Sequence, residues 1–175
     1  TDLSYSFAKA IKEHSPETLV VFGSRNYPLE SPRQKAWFEE HPYVDVYIIG
    51  EGEEPWMHVA DLWAETQSIE AVKSSKIDGV HSLVNGELYK PGKVRKDGFD
   101  EEPRIENLDD IPSPYLKGYL DDFLVDELLS PLIETNRGCP FQCTFCVDGV
   151  GSRNKVFKGE AKRSEEELVY IAKRH

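Results

Sequence analysis

No apolar run in the chain approaches the roughly 20 residues needed to span a bilayer. The opening TDLSYSFAKAIKEH has no apolar signal core. Both absences lead to the expectation of a cytoplasmic protein without a membrane span. Positive charge is in the minority, with 21 Lys and Arg against 32 Asp and Glu and a net charge of -11. That balance disfavours a general nucleic-acid or anionic-membrane binder, so no nucleic-acid partner is expected. Glycines follow two strand-like runs, but no full phosphate-binding fingerprint accompanies them. There is no internal repeat and no low-complexity tract. An initiator methionine is also missing, and His175 falls inside a helical pattern. The expectation is a segment of a longer protein or a processed product. What the chain does not lack is core-forming material. Eight Phe, eight Tyr and three Trp, with 39% hydrophobic residues, argue against disorder despite a mean hydropathy of -0.53.

Cysteine is scarce and confined to one place. All three, Cys139, Cys143 and Cys146, lie in the eight residues CPFQCTFC. Disulfide pairing would leave one thiol over, and a bridge inside so tight a loop would be strained. A reducing compartment keeps such thiols free for metal. A tetrahedral zinc site wants four ligands, and no histidine lies within the loop or close after it. Three thiolates from one loop suit an iron–sulfur cluster with one iron free of protein ligands. A zinc site or an incidental group of thiols is the competing reading.

Phe7, Ala8, Ala10 and Ile11 share one side of a helical wheel, which predicts an amphipathic helix over 4–14. TLVVFGS (18–24) reads as a buried parallel strand, 32–40 as a second helix with Ala36, Trp37 and Phe38 as packing groups, and VDVYIIG (44–50) as a second buried strand. A third helix follows, with Pro55 near its first turn. Helix, strand, helix, strand, helix is the back half of a doubly wound α/β domain. Ligands of such sheets sit beyond the carboxyl ends of the strands, which puts Gly23, Ser24, Gly50, Glu51 and Gly52 on the candidate binding edge. The competing reading is that these glycines only make tight turns. Further on, Asn85-Gly86 between two extended runs predicts a type I′ hairpin over 79–90. Two prolines in LDDIPSPY (108–115) predict an extended linker with Asp109 and Asp110 solvated. Residues 121–129 read as a short helix or turn.

An extended run at 132–135 leads through Asn136, Arg137 and Gly138 into Cys139. Arg137 could raise the potential of a nearby cluster, or be merely solvated. A glycine- and charge-rich stretch, 148–163, follows the loop. Ser164 and Glu167 then suggest a capping box that opens a helix with Leu168, Ile171 and Ala172 on its apolar face. The order is strand, ligand loop, helix. Texture along the chain divides it into 1–64, 65–130 and 131–175.

ETNRGCPFQCTFC (134–146) resembles the CxxxCxΦC motif of the radical S-adenosylmethionine superfamily, with Phe145 as the aromatic Φ. VVFGSRNYP, VDVYIIGEGE and LDDIPSPY are similar, in that order, to the second half of a cobalamin-binding domain and its connector in cobalamin-dependent members. The resemblance implies an α/β fold in three parts: the C-terminal half of a doubly wound, cobalamin-binding-like domain (1–64), a hairpin-containing extended linker (65–130), and the first β/α unit of a radical SAM partial TIM barrel (131–175). It implies that Cys139, Cys143 and Cys146 hold three irons of a 4Fe–4S cluster and that the fourth iron binds S-adenosylmethionine, cleaved reductively to a 5′-deoxyadenosyl radical. Phe145 would line the adenine side. Gly23, Ser24, Gly50, Glu51 and Gly52 would contact the tail of cobalamin, a further cofactor that the resemblance allows, and methyl transfer is a frequent reaction of such relatives. The implied partner is an electron donor such as flavodoxin or ferredoxin; the substrate is unknown. The D-x-H-x-x-G segment of many family members is absent, so no cobalt-ligand role passes to His14, His41 or His58. The alternatives are a non-catalytic iron–sulfur or zinc-binding module, or a cobalamin carrier, with an incomplete barrel.

Overall fold

Residues 2–24, 26–146 and 155–175 are described by the computed structural model. They form two units, Thr1–Arg104 and Ile105–His175. Residues 148–154 of the glycine- and charge-rich stretch after the cysteines lie outside the described residues.

In the first unit the apolar run at 44–50 explains the layering. Strand β2 (Val46–Ile48) is buried at every position. Successive side chains of a strand point to opposite faces, so a run apolar throughout needs cover on both. Val46 and Ile48 pack with Val59 of α3 (Glu53–Thr66), Val72 of α4 (Ile69–Lys73) and Val80 of β3 (Val80–Val84). Tyr47 and Ile49 pack with Phe38 of α2 (Ser31–Glu40) and Val44, and Tyr5 of α1 (Asp2–His14) joins that side. β1 (Val21–Gly23) pairs with β2 in parallel. The Asp45 carboxylate fixes the junction, accepting the Val20 N–H at 2.7 Å and pairing with Lys12 of α1 at 2.7 Å.

The hairpin forms at Asn85-Gly86, with φ angles of 52° and 77° as a type I′ turn requires. Its strands are β3 and β4 (Glu87–Tyr89). They extend the sheet in the order β1-β2-β3-β4, with β3 antiparallel to β2. The α/β class holds, and the sheet is mixed. Only part of the apolar face expected on α1 is buried: Ala8 is inside, whereas Phe7 is 62% and Ile11 42% exposed. The helix docks through Tyr5, Ala8 and Lys12 instead.

A polar group is buried on β3. His81 is 1% exposed, with its Nδ1 3.3 Å from the Tyr27 hydroxyl and its Nε2 3.9 Å from Asp100. Asp100 also takes Lys90 at 2.6 Å and the buried Gln34 amide at 2.8 Å. Burial lowers the His81 pKa from 6.5 to about 4, against the attraction of Asp100 and with the help of Lys90. A histidine held neutral in the fold makes stability fall with acid. Below about 6.5 the unfolded chain takes a proton that the fold refuses, a loss of up to about 1.4 kcal/mol per pH unit that continues toward pH 4. The expected result is a falling urea midpoint from pH 7 to pH 5 in the wild type and a flatter slope in His81→Gln. Equal slopes would show that His81 does not set the acid limit.

The second unit is smaller. Tyr115, Leu124 of α5 (Asp121–Leu124) and Ile171 of α6 (Ala161–Ala172) form its core, with Leu120, Ile133 and Tyr170 against them. β5 (Asn136–Arg137) pairs antiparallel with β6 (Phe157–Lys158), a partner strand not foreseen in the sequence. The capping box at Ser164 does not form. Helix α6 begins four residues earlier, at Ala161, with Glu160 at its N-cap and no side-chain cap there. Glu167 turns instead to Arg163, one helical turn back, at 3.2 Å. Among the described residues no helix is long and apolar enough to cross a membrane.

Candidate functional site

Because β1 and β2 run parallel, Gly23 and Ser24 reach the same end of the sheet as Gly50, Glu51 and Gly52. They do not all face outward. The Tyr47 hydroxyl lies 3.1 Å and 3.0 Å from the carbonyl oxygens of Gly23 and Ser24, its hydrogen-bond acceptors. Gly50 has a φ of 70°, and a Cβ there would lie 2.9 Å from both the Glu102 Cβ and the Pro103 oxygen. The Glu51 N–H donates to that Pro103 oxygen at 3.2 Å, and the Glu51 carboxylate accepts from Arg104 at 3.1 Å. Gly50 and Glu51 therefore hold down residues 102–104, whereas Gly52 starts α3 as its N-cap. A cleft of about 730 Å³ is walled by Pro55, His58 and Leu62 of α3 and by Ser75, Ile77 and Pro103. His14 and His58 are exposed, and His41 stacks on Trp37 at 4.3 Å. These are surface and packing positions.

In the second unit β5 and β6 form the neck of the segment that carries the cysteines. The Gly159 N–H donates to the Thr135 carbonyl at 3.0 Å, extending the pairing by one step. Beyond the neck, Cys139 and Cys146 are half-buried and Cys143 is exposed; all three are free thiols. The Cys146 N–H donates to the Cys143 carbonyl at 3.1 Å, so the last two cysteines share one tight turn. Phe145 between them is 91% exposed, and Phe141 is 68% exposed. The Arg137 guanidinium is engaged by Glu134, at 2.8 Å from Nε and 2.7 Å from Nη2. A solvated arginine is therefore not what the structure holds at this position, and the Glu134 carboxylate offsets its charge.

Among the described residues no three Cys, His, Asp or Glu side chains converge on one point as a ready metal cage. It is the donor chemistry that fits a cluster: three unbridged thiols on one loop, the soft ligand set that iron–sulfur clusters take.

Sequence reasoning missed Asp109. Read as solvated, it is only a quarter exposed and binds backbone and Arg163. Its neighbour Asp110 accepts from the Asn107 amide at 2.7 Å. A short polar residue ahead of a proline-rich stretch, with Asn two positions earlier, was the available signal.

No family model matches the chain. Among curated proteins it is 34% identical over 171 residues to a cobalamin-dependent radical SAM methyltransferase of Streptomyces tokunonensis, an alignment that covers 95% of this chain and 23% of that protein. It is 32% identical over 170 residues to the 2-(S-pantetheinyl)-carbapenam-3-carboxylate methyltransferase of Streptantibioticus cattleyicolor, covering 94% of the chain and 23% of the relative. An uncharacterised methyltransferase of Pyrococcus horikoshii is 29% identical over 170 residues, with 96% of the chain and 33% of the relative aligned. The chain thus spans a quarter to a third of the length of these relatives. Along nearly all of its own length, the chain is related to cobalamin-dependent radical S-adenosylmethionine methyltransferases.

Proposed function

We propose that this chain is part of a radical S-adenosylmethionine enzyme, with Cys139, Cys143 and Cys146 as the ligands of a 4Fe–4S cluster. The observation that carries the reading is the set of three free thiols on one loop, with an exposed Phe145 inside it. Similarity to a cobalamin-dependent radical SAM methyltransferase and to a second methyltransferase supports the reading. Three thiolates leave one iron without a protein ligand, which is where the amino and carboxylate groups of S-adenosylmethionine would bind. A bound, reduced cluster would supply one electron to the sulfonium of S-adenosylmethionine, breaking its C–S bond to give methionine and a 5′-deoxyadenosyl radical. Phe145 offers an apolar face for the adenine. A one-electron donor such as flavodoxin or ferredoxin is the proposed partner. In the first unit the same reading assigns cobalamin to the carboxyl edge. Gly23, Ser24 and Gly52 would line it, and Gly50 and Glu51 would act one step removed, through residues 102–104. Methyl transfer is the proposed reaction.

The test is anaerobic reconstitution with iron and sulfide. The expected result is about four irons per chain and a paramagnetic resonance spectrum of the reduced protein that changes on adding S-adenosylmethionine. A chain that keeps zinc tightly and takes up no iron would overturn the proposal.

A further inference from the structure

We propose that Tyr115 and Asp109 are positioning residues that hold the two flanks of the cysteine loop, one on the entering strand and one at the exit. The inference rests on the cluster reading above.

On the entry side, the Tyr115 hydroxyl donates to the Leu132 carbonyl at 2.8 Å and accepts the Leu132 N–H at 3.0 Å. The Leu132 side chain is 86% exposed, so its burial anchors nothing. At Leu132 the run that feeds β5 is held through its backbone by a buried tyrosine, 6% exposed, next to Ile133, whose side chain packs against the same core. On the exit side, Asp109 Oδ2 accepts the Glu160 N–H at 2.9 Å. Glu160 follows β6 and occupies the N-cap of α6, where no side chain of the helix's own supplies a cap. An aspartate from a distant part of the chain does so, at the positive end of the helix.

A second set of contacts locks the exit. Arg163 Nη1 donates to the Leu108 carbonyl at 2.6 Å and lies 3.6 Å from Asp109 Oδ1, while its Nε donates to the buried Glu167 at 3.2 Å. The Asn107 side chain accepts the Asp109 N–H at 3.3 Å and shapes the turn that presents the carboxylate. Between the two anchors lie Pro112 and Pro114, whose fixed φ angles stiffen the segment that joins them. The segment 108–115 therefore bridges the neck: Tyr115 fixes where the chain enters, Asp109 where it leaves. Ligands on a loop are only as well placed as the supports at its ends.

The full chain is reconstituted as wild type, Tyr115→Phe, Asp109→Ala and Asp109→Asn. Tyr170→Phe serves as the control, since it removes a hydroxyl contact of the same unit, to Asp121 at 2.7 Å, away from the neck. Iron loss to a chelator and the resonance line shape of the reduced protein are measured, with thermal unfolding of each apoprotein. Tyr115→Phe and Asp109→Ala are expected to lose iron about tenfold faster than wild type and to broaden the spectrum. Asp109→Asn, which keeps an acceptor for the Glu160 N–H, should lie between Asp109→Ala and wild type, and Tyr170→Phe should match wild type. Equal iron loss in all variants, or a Tyr170→Phe effect as large as that of Tyr115→Phe, overturns the positioning role while leaving the cluster reading intact. A wild-type chain that holds no iron overturns the cluster reading, and this inference with it.

Discussion

Cys143→Ala is expected to bring the iron content of the reconstituted chain from about four per chain to near zero. With one thiol gone, two thiolates would remain for the proposed cluster, which takes three from this loop, and the chain has no other cysteine. The loss should be specific. Cys143 is exposed, and no packing is removed with its side chain. A surface substitution of this kind shifts stability by within about 0.5 kcal/mol. Apoprotein melting should therefore be unchanged while the brown chromophore fails to form. Iron binding equal to wild type would show that the ligand assignment is wrong. A large drop in apoprotein melting would point to a structural role for the thiol.

Gly79→Ala is expected to destabilise the first unit by about 2–5 kcal/mol. Two costs combine. Gly79 has a φ of 76°, and an L side chain in that region costs about 1–2 kcal/mol. A Cβ would also sit 2.6 Å from Pro103 Cγ and 3.0 Å from its Cδ. The proline ring cannot rotate out of the way, so the backbone must give, at about 1–3 kcal/mol for an overpacked site. The Gly79 carbonyl accepts the Ile49 N–H at 2.9 Å, so any shift is felt at the end of β2. Gly86→Ala separates the two costs. Its φ is 77°, but nothing lies within 4 Å of the added Cβ. It should show the conformational cost alone. Urea unfolding followed by circular dichroism reads both, and a Gly79→Ala effect no larger than that of Gly86→Ala would remove the contact with Pro103 from the explanation.

Much of the first unit could be read from local pattern. The β-branched run at 44–50 and the Asn85-Gly86 dipeptide each specify their own backbone, and both form, the strand over the shorter span Val46–Ile48. What local pattern does not contain is which strands pair. The hairpin joins β2 because Val80 shares a core with Val46 and Ile48, a contact between residues over thirty positions apart. The polar cluster at His81 was hidden for the same reason. Gln34, Lys90 and Asp100 look like ordinary surface residues until the fold gathers them around one imidazole. At α6 the local signal misled. Ser164 and Glu167 have the spacing of a capping box, but Asp109 caps the helix from 51 positions away in sequence. The cysteine spacing was plain in the sequence. The supports around it were not, because Tyr115 and Asp109 act on backbone groups and leave no side-chain pattern to recognise.

The aromatic packing of the first unit also gives the protein a built-in optical division. Trp37 lies 5.4 Å from the Tyr27 ring and 5.1 Å from the Tyr47 ring, close enough to collect their excitation and emit it. All three tryptophans, Trp37, Trp56 and Trp63, belong to Thr1–Arg104, and the unit with the cysteines contains none. Tryptophan fluorescence therefore follows the sheet unit alone. The iron–sulfur chromophore, if loaded, absorbs in the visible and follows the other, so the melting of each half can be recorded separately in a single sample.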